Sequence, residues 1–253
     1  GATPEQELSF ALATAIGVLE YLYNSEKIKK SLFEKIVGRI SFFVNSGMRF
    51  VTETAKMASF TELWNEICLK RFKISNPKYR RFRYGMQVNS LGLTELQPEN
   101  NVYRILIQML PVVIAKNSRA RAVQLPAWNE ALGLPRPWDQ QWSLRLQQIM
   151  AYETDLLEFS DIFEGSKVLK EKIKLLKKSA NDQLSKIDKI GGLIPAIESG
   201  YLKSQLVESQ TNRQKNIEQG EQKVVGVNCF SEGENSPLVN EKDGGFMKVN
   251  DEA

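Results

Sequence analysis

The chain has 253 residues, 42% hydrophobic and 25% charged, with a formal net charge of +4, a globular composition that suits one large α/β domain or one domain with an appendage. The lysines are interleaved with acids and no arginine-rich arm is present, so nothing marks a nucleic-acid binder, and no apolar run reaches the roughly 20 residues of a membrane span. With no histidine and only two cysteines, far apart and in no C-x-x-C, the chain lacks an imidazole base, a Ser-His-Asp triad, a His-ligated metal and a thiolate zinc site.

Thr3-Pro4-Glu5-Gln6 reads as a helix start, with Thr3 at the N-cap, Pro4 in the first position and Gln6 completing a capping box. Leu8, Ala11, Leu12, Ala15, Leu19 and Leu22 then recur at helical spacing. Gly1 opens directly into this helix, which predicts an internal segment of a longer protein. No signal-peptide pattern is seen, so a reducing, cytoplasmic setting is expected. A second short helix over about Ser25 to Val37 carries Lys27, Lys29 and Lys30 on a solvated face.

Ile40-Ser41-Phe42-Phe43-Val44, bounded by Gly38 and Asn45-Ser46-Gly47, predicts a strand buried on both sides. A long helix from Met48 to about Leu69 follows, and Asn76-Pro77 breaks the chain. Arg81 to Gln87 forms a basic, aromatic second strand that runs into the polar turn Val88-Asn89-Ser90-Leu91-Gly92-Leu93. The next helix starts at Pro98-Glu99-Asn100-Asn101, with Val102, Ile105, Leu106 and Met109 inward. Pro111 inside it removes a hydrogen bond at a cost of about 3 kcal/mol unless compensated. Arg121 to Leu125 is a third strand, Pro135-Arg136-Pro137 a break, and Asp139 to about Leu157 another helix.

Strands of five to seven residues alternating with long helices predict βαβ units and a parallel sheet, an α/β fold. Three strands are too few to close a barrel, so they are read as the C-terminal part of a (β/α)8 TIM-like barrel. A small doubly wound sheet is the alternative, but no glycine-rich phosphate loop follows any strand. Arginine, glutamine, asparagine and glutamate gather beside tryptophan at the strand ends, as on the active-site rim of such folds.

Beyond Ser166 the composition shifts. Lys167 to Lys189 predicts a lysine-rich helix with Val168, Leu169, Ile173, Leu176, Leu184 and Ile187 as its apolar stripe. Gly191-Gly192 interrupts it, Tyr201 to Glu218 forms another helix, and a short Val224-Val225-Gly226-Val227 run follows. From Ser231 the polar, Gly- and Asn-rich sequence predicts a mobile tail. The expected division is residues 1–165, a helical region over 166–230, and the tail over 231–253.

At Val88-Asn89-Ser90-Leu91-Gly92-Leu93-Thr94 and from Gln124 to Pro135 the sequence resembles the adenosylcobalamin-dependent acyl-CoA mutases, the methylmalonyl-CoA mutase family. The Pro135-Arg136-Pro137-Trp138-Asp139-Gln140-Gln141-Trp142-Ser143 stretch is similar to the ethylmalonyl-CoA mutase branch. The similarity runs from Gly1 to about Leu238. It implies a barrel that admits an acyl-CoA, a helical linker and a cobalamin domain, with adenosylcobalamin as cofactor and a homodimeric parent. The family's Tyr-His pair would end just before Gly1, and its cobalt-ligating D-x-H-x-x-G would lie beyond Ala253.

The resemblance implies roles for particular residues. Arg83 occupies the family's substrate-facing arginine, and Gln87 its Q-T-S-G glutamine. Gln124 stands where the L-H-T-N turn has histidine, and Glu130 keeps the D-E-A glutamate. Gln147 and Glu153 fall on the N-T-Q-x-x-x-x-x-E helix, whose first two letters here are Arg145 and Leu146. The D-P-x-G-G-S element survives only as Asp161 to Ser166. Arg83, Gln87, Arg121, Gln124 and Gln147 are thus the candidate substrate-binding residues, and Glu130 and Glu153 the candidate cofactor-binding ones.

Plainer roles stand beside these. Arg83 is a forked donor for a carbonyl or phosphate, or a rim salt bridge. Gln87 and Gln124 suit a thioester or an amide, or simply cap strand ends. Glu130 faces a cofactor or a helix N-terminus, and Glu153 is a cofactor contact or a structural residue. Trp138 and Trp142 are read as packing, and Lys116, Arg119 and Arg121 as a solvated loop or a CoA-phosphate site. The activity implied is a radical carbon-skeleton rearrangement of an acyl-CoA. The alternative is a non-catalytic fragment or paralogue that only binds acyl-CoA or a partner chain.

Overall fold

The first helix, α1 (Pro4–Asn24), starts as its capping residues dictate. The Thr3 hydroxyl accepts from the Gln6 amide, and the Gln6 side chain accepts from the Thr3 amide. Leu8, Leu12, Ala15 and Leu19 are buried along its inner face, with Ala11 and Leu22 packed at its margin. This computed structural model describes residues 1–25, 28–239 and 244–247. Lys27 of the expected solvated face lies outside them. α2 (Lys30–Val37) is shorter than its sequence predicted, and Lys29 before it is exposed.

Three strands follow, separated by helices: β1 (Phe42–Ser46), α3 (Phe50–Lys70), β2 (Tyr84–Val88), α4 (Asn100–Ile114) and β3 (Ala122–Gln124). They form a parallel sheet in the order β1-β2-β3, so the molecule is a mixed α/β structure. β1 begins two residues later than expected, and it is not buried on both sides. Phe42, Val44 and Ser46 point into the core while Phe43 and Asn45 are exposed. The physical reason is that helices cover only one face of the sheet. α4 packs against β1 and β2, and α3 packs against α4.

The core on that face is built from two clusters. The larger joins α1, α3 and the N-terminal halves of β1 and β2, including an aromatic group in which Phe82 stacks on Phe60 at 4.9 Å and tilts against Phe42 at 4.5 Å. The smaller joins Val88, Ile105, Met109, Leu125 and Met150. α4 continues through Pro111, which lies on its buried side; the Ala115 amide still donates to the Pro111 carbonyl at 3.2 Å.

α5 (Pro137–Tyr152) starts two residues earlier and ends five earlier than predicted, because Pro137 takes the first helical position and Arg136 its cap. The later helices are α6 (Lys167–Ile190), α7 (Leu193–Glu198) and α8 (Tyr201–Glu218). α6 stops at Gly191, whose φ of 111° is the left-handed cap that glycine adopts without a side-chain penalty. Its Leu176, Ala180, Leu184 and Ile187 enter the larger core against α1 and α3. Val168, expected on the stripe, is exposed.

Beyond Ser231 the described residues do not match a free tail. Met247 donates its amide to the Leu134 carbonyl at 2.8 Å, and Phe246 packs on Gly133, where the missing side chain makes room for the ring. Among the described residues no helix is long and apolar enough to cross a membrane.

Candidate functional site

The uncovered face of the sheet is where chemistry can take place. Strand alternation puts Phe43 and Asn45, Gly85 and Gln87, and Ala122 and Gln124 on it. The register makes these residues into two rows. Phe43, Gly85 and Ala122 are Cα partners in one, and Asn45, Gln87 and Gln124 in the other, nearer the C-terminal ends of the strands. The first row is apolar, and Gly85 has no side chain there because the Phe43 ring lies across it. A Cβ on Gly85 would sit 2.9 Å from that ring. The second row is three neutral carboxamides side by side. Among the described residues neither Gln87 nor Gln124 has a side-chain partner, so each leaves a donor and an acceptor open on this face.

Asn45 is held more firmly. Backbone N–H and C=O groups of one strand residue point to the same edge, and the Phe42 amide donates toward β2, so those of Asn45 point to the outer edge of the sheet. There the Asn45 amide donates to Glu7 Oε1 at 2.5 Å, and its carbonyl accepts from Lys56 Nζ at 2.7 Å. Lys56 also meets Glu7 Oε2 at 2.5 Å and Glu53 Oε2 at 2.6 Å, with its side chain only 3% exposed. Burial pulls the Lys56 ammonium down, but Glu7 and Glu53 outweigh it and hold its pKa above the usual lysine value. The edge of β1 is therefore closed at Asn45 by a buried charge cluster.

The loops beyond the strands form a fixed rim. The Ser46 hydroxyl donates to the Gln108 carbonyl at 2.6 Å, and Gln108 Oε1 accepts from the Asn89 amide at 3.1 Å. Asn101 Nδ2 donates to the carbonyls of Thr94 and Trp128, both at 2.9 Å, tying the loop after β2 to that after β3. Asp139, fully buried, accepts from Trp128 Nε1 at 3.0 Å, Asn129 Nδ2 at 2.7 Å and the Arg136 amide and guanidinium. Trp128, Trp138 and Trp142 pack on one another with centroids 5.7–6.2 Å apart, and Arg136 lies 4.3 Å over Trp138. The two indoles on α5 are packing, as expected. Arg104 reaches from α4 to the Val225 carbonyl at 2.7 Å, and burial lowers its pKa. That contact anchors the Val224–Val227 run.

The structure unites some of the predicted residues and separates others. Gln87 and Gln124 are paired across β2 and β3. Arg83 shares their face by parity but precedes β2, four residues or about 13 Å from Gln87. Arg121 precedes β3 and, three residues from Gln124, has the opposite parity. It is exposed, as is Arg119, so it does not join the carboxamide row. Lys116 and these arginines flank the start of β3, away from the rim.

Glu130 is exposed in the turn after Asn129, and Glu153 is exposed at the C-cap of α5. Gln147, half-buried on α5, is six residues from Glu153, which places the two on different sides of the helix axis. Asn45, Glu7, Lys56 and Glu53 were not anticipated. The available signal was the polar Asn45 alternating with Phe43, hidden because Asn45-Ser46-Gly47 reads as the boundary of the strand.

Comparison with known proteins bears on what this site serves. A family model described as methylmalonyl-CoA mutase matches residues 1–249. The chain is 60% identical to the ethylmalonyl-CoA mutase of Cereibacter sphaeroides over 253 residues, covering 100% of this chain and 38% of that protein. It is 60% identical to the ethylmalonyl-CoA mutase of Methylorubrum extorquens over 239 residues, covering 94% and 35%. Against the methylmalonyl-CoA mutase of Escherichia coli the identity is 31% over 231 residues, covering 91% and 31%. The chain thus spans little more than a third of the two more similar relatives, and with a match along almost its whole length it belongs to the methylmalonyl-CoA mutase family.

Proposed function

We propose that this chain is part of an adenosylcobalamin-dependent acyl-CoA mutase whose parent converts ethylmalonyl-CoA to methylsuccinyl-CoA, with the methylmalonyl-CoA/succinyl-CoA pair as second choice. The observation that carries the substrate is the identity gap, 60% to ethylmalonyl-CoA mutases against 31% to a methylmalonyl-CoA mutase. In this reading residues 1–165 are the second part of a (β/α)8 barrel, 166–230 a helical linker, and 231–253 lead toward a cobalamin domain. The parent is a cytoplasmic homodimer. The bare sheet face is the wall of the acyl-CoA channel, completed by the other barrel strands.

Gln87 and Gln124 then hydrogen-bond the thioester or amide groups of the acyl-CoA, and Arg83 meets it lower in the channel. Gln147 lines the same cavity from α5. Arg121 remains a candidate only for the CoA phosphates outside the channel. Glu130 and Glu153, exposed beyond the strand ends, face the cofactor side. Bound cobalamin supplies a homolytically cleaved cobalt–carbon bond and hence the hydrogen-abstracting radical. This chain has no histidine, and among its described residues no group of His, Cys, Asp or Glu is placed to hold a metal. In this reading its residues serve the acyl-CoA side of the reaction. Their work is to bind the thioester, orient it and exclude water.

The test is an assay of the full-length parent with adenosylcobalamin and each acyl-CoA. Turnover of ethylmalonyl-CoA with a higher kcat/KM than methylmalonyl-CoA is expected. Absence of turnover with both sinks the reading and leaves the acyl-CoA-binding paralogue in its place.

A further inference from the structure

We propose that Asn45 is a substrate-recognition residue whose side-chain oxygen accepts a hydrogen bond from an amide N–H of the acyl-CoA's thioester arm, and that Glu7, Lys56 and Glu53 are positioning residues that set its orientation. This deepens the mutase reading and rests on it.

Three observations converge on Asn45. It is the Cα partner of Gln87, which is the partner of Gln124, so a ligand engaging either glutamine lies within reach of the same row. It is exposed on the uncovered face. Its amide group also has a defined orientation. Asn45 Nδ2 donates to Glu7 Oε1 at 3.3 Å, and an ionised carboxylate can only accept, so nitrogen and oxygen cannot exchange places. That leaves Oδ1 without a partner among the described residues.

The chemistry of the ligand group follows. A lone carboxamide oxygen is an acceptor, so it does not recognise an ionised phosphate or carboxylate; its partner is an N–H or O–H donor. The thioester arm of coenzyme A is built from secondary amides and offers such a donor. The charge cluster behind Asn45 serves accuracy. Glu7 grips both the backbone amide and the side chain, Lys56 grips the carbonyl, and Glu53 is a second carboxylate that holds the Lys56 ammonium in place. Strand pairing alone would leave this edge residue with a free N–H and C=O.

The experiment uses the full-length parent. Asn45→Ala and the strand-compatible Asn45→Val are compared with wild type, with free coenzyme A as the binding probe in calorimetry and acyl-CoA in turnover. Losing one neutral hydrogen bond should weaken coenzyme A about five- to tenfold and raise KM alike, with kcat changed less than about twofold. Glu7→Ala should reproduce the KM rise and Glu7→Gln should restore most of it, while Glu7→Ala/Asn45→Ala should be no worse than Asn45→Ala alone.

Wild-type affinity for coenzyme A in both Asn45 variants overturns the recognition role. Additive effects in the double variant overturn the positioning role. Binding of coenzyme A by wild type without turnover would remove the mutase reading while still deciding Asn45, and no binding by wild type would remove both.

Discussion

Lys56 keeps a positive charge inside the protein only because two carboxylates surround it, and that makes it a sensitive residue. Removing the cation leaves the buried Glu53 and the half-buried Glu7 without the charge that lies between them. Lys56→Met is therefore expected to cost about 3–5 kcal/mol in urea unfolding, far more than a solvated pair such as Lys70 with Glu66 could contribute. The pH dependence has a definite sign. The folded pKa lies above the unfolded one, so the cluster's stabilisation is fully present below about pH 10 and is lost as pH rises through the folded value. The buried Cys68 thiol and Tyr84 phenol, both raised by burial, add to an alkaline loss of the same sign, so the fall in melting temperature above about pH 10 is expected to be smaller, not absent, in Lys56→Met.

The two cysteines divide in the same way. Cys68 has no exposed surface, and burial pushes its thiol up to about 12, so at pH 8 only ~10⁻⁴ of it is thiolate. Native protein should lose one thiol per chain to iodoacetamide, at the half-buried Cys229; mass spectrometry finding Cys68 alkylated first would contradict the packing.

Among the elements, α1 shows how a sequence rule yields to packing. Glycine within a helix costs about 1 kcal/mol against alanine where solvent is the neighbour. At Gly17 a Cβ would stand 2.7 Å from Leu193 Cβ of α7, so no flexible side-chain end can yield. Gly17→Ala is expected to destabilise by about 1–3 kcal/mol, reversing the propensity gain, as measured by chemical denaturation. The start of α1, the Gly191 cap of α6 and the bounds of α8 were legible because capping boxes and left-handed glycines are local chemistry. β1 was misplaced by two residues because a short apolar run carries no periodicity to fix its ends, and that shift concealed Asn45. α5 was misjudged at its start because Arg136 caps through Asp139, a residue whose other partners, Trp128 and Asn129, come from the loop before the helix, beyond the reach of a local capping pattern.

For the molecule as a whole, the uncovered face is the dominant feature. Phe43 is 59% exposed on it, and elsewhere on the surface Tyr152, Phe159 and Ile162 are exposed too. A sheet with one bare face and an unpaired edge at β3 pairs with other chains. This 253-residue chain alone is expected to form ill-defined aggregates in sedimentation and to bind a hydrophobic dye, whereas the full-length parent should sediment as a discrete dimer and leave the dye unbound. A monomeric, cooperatively unfolding chain would argue against the face needing a cover.

The sequence by itself determined the class of the fold, the order of its elements, most helix ends and the family, because periodicity, caps and motifs are written in neighbouring residues. Only the tertiary structure decided which strand residues share a face, that Gln87 and Gln124 are partners while Arg121 is not, and that Glu7 and Lys56 meet at Asn45. Register and charge pairing join residues some 38 to 49 positions apart, and that distance is bridged only when the helices pack on the sheet.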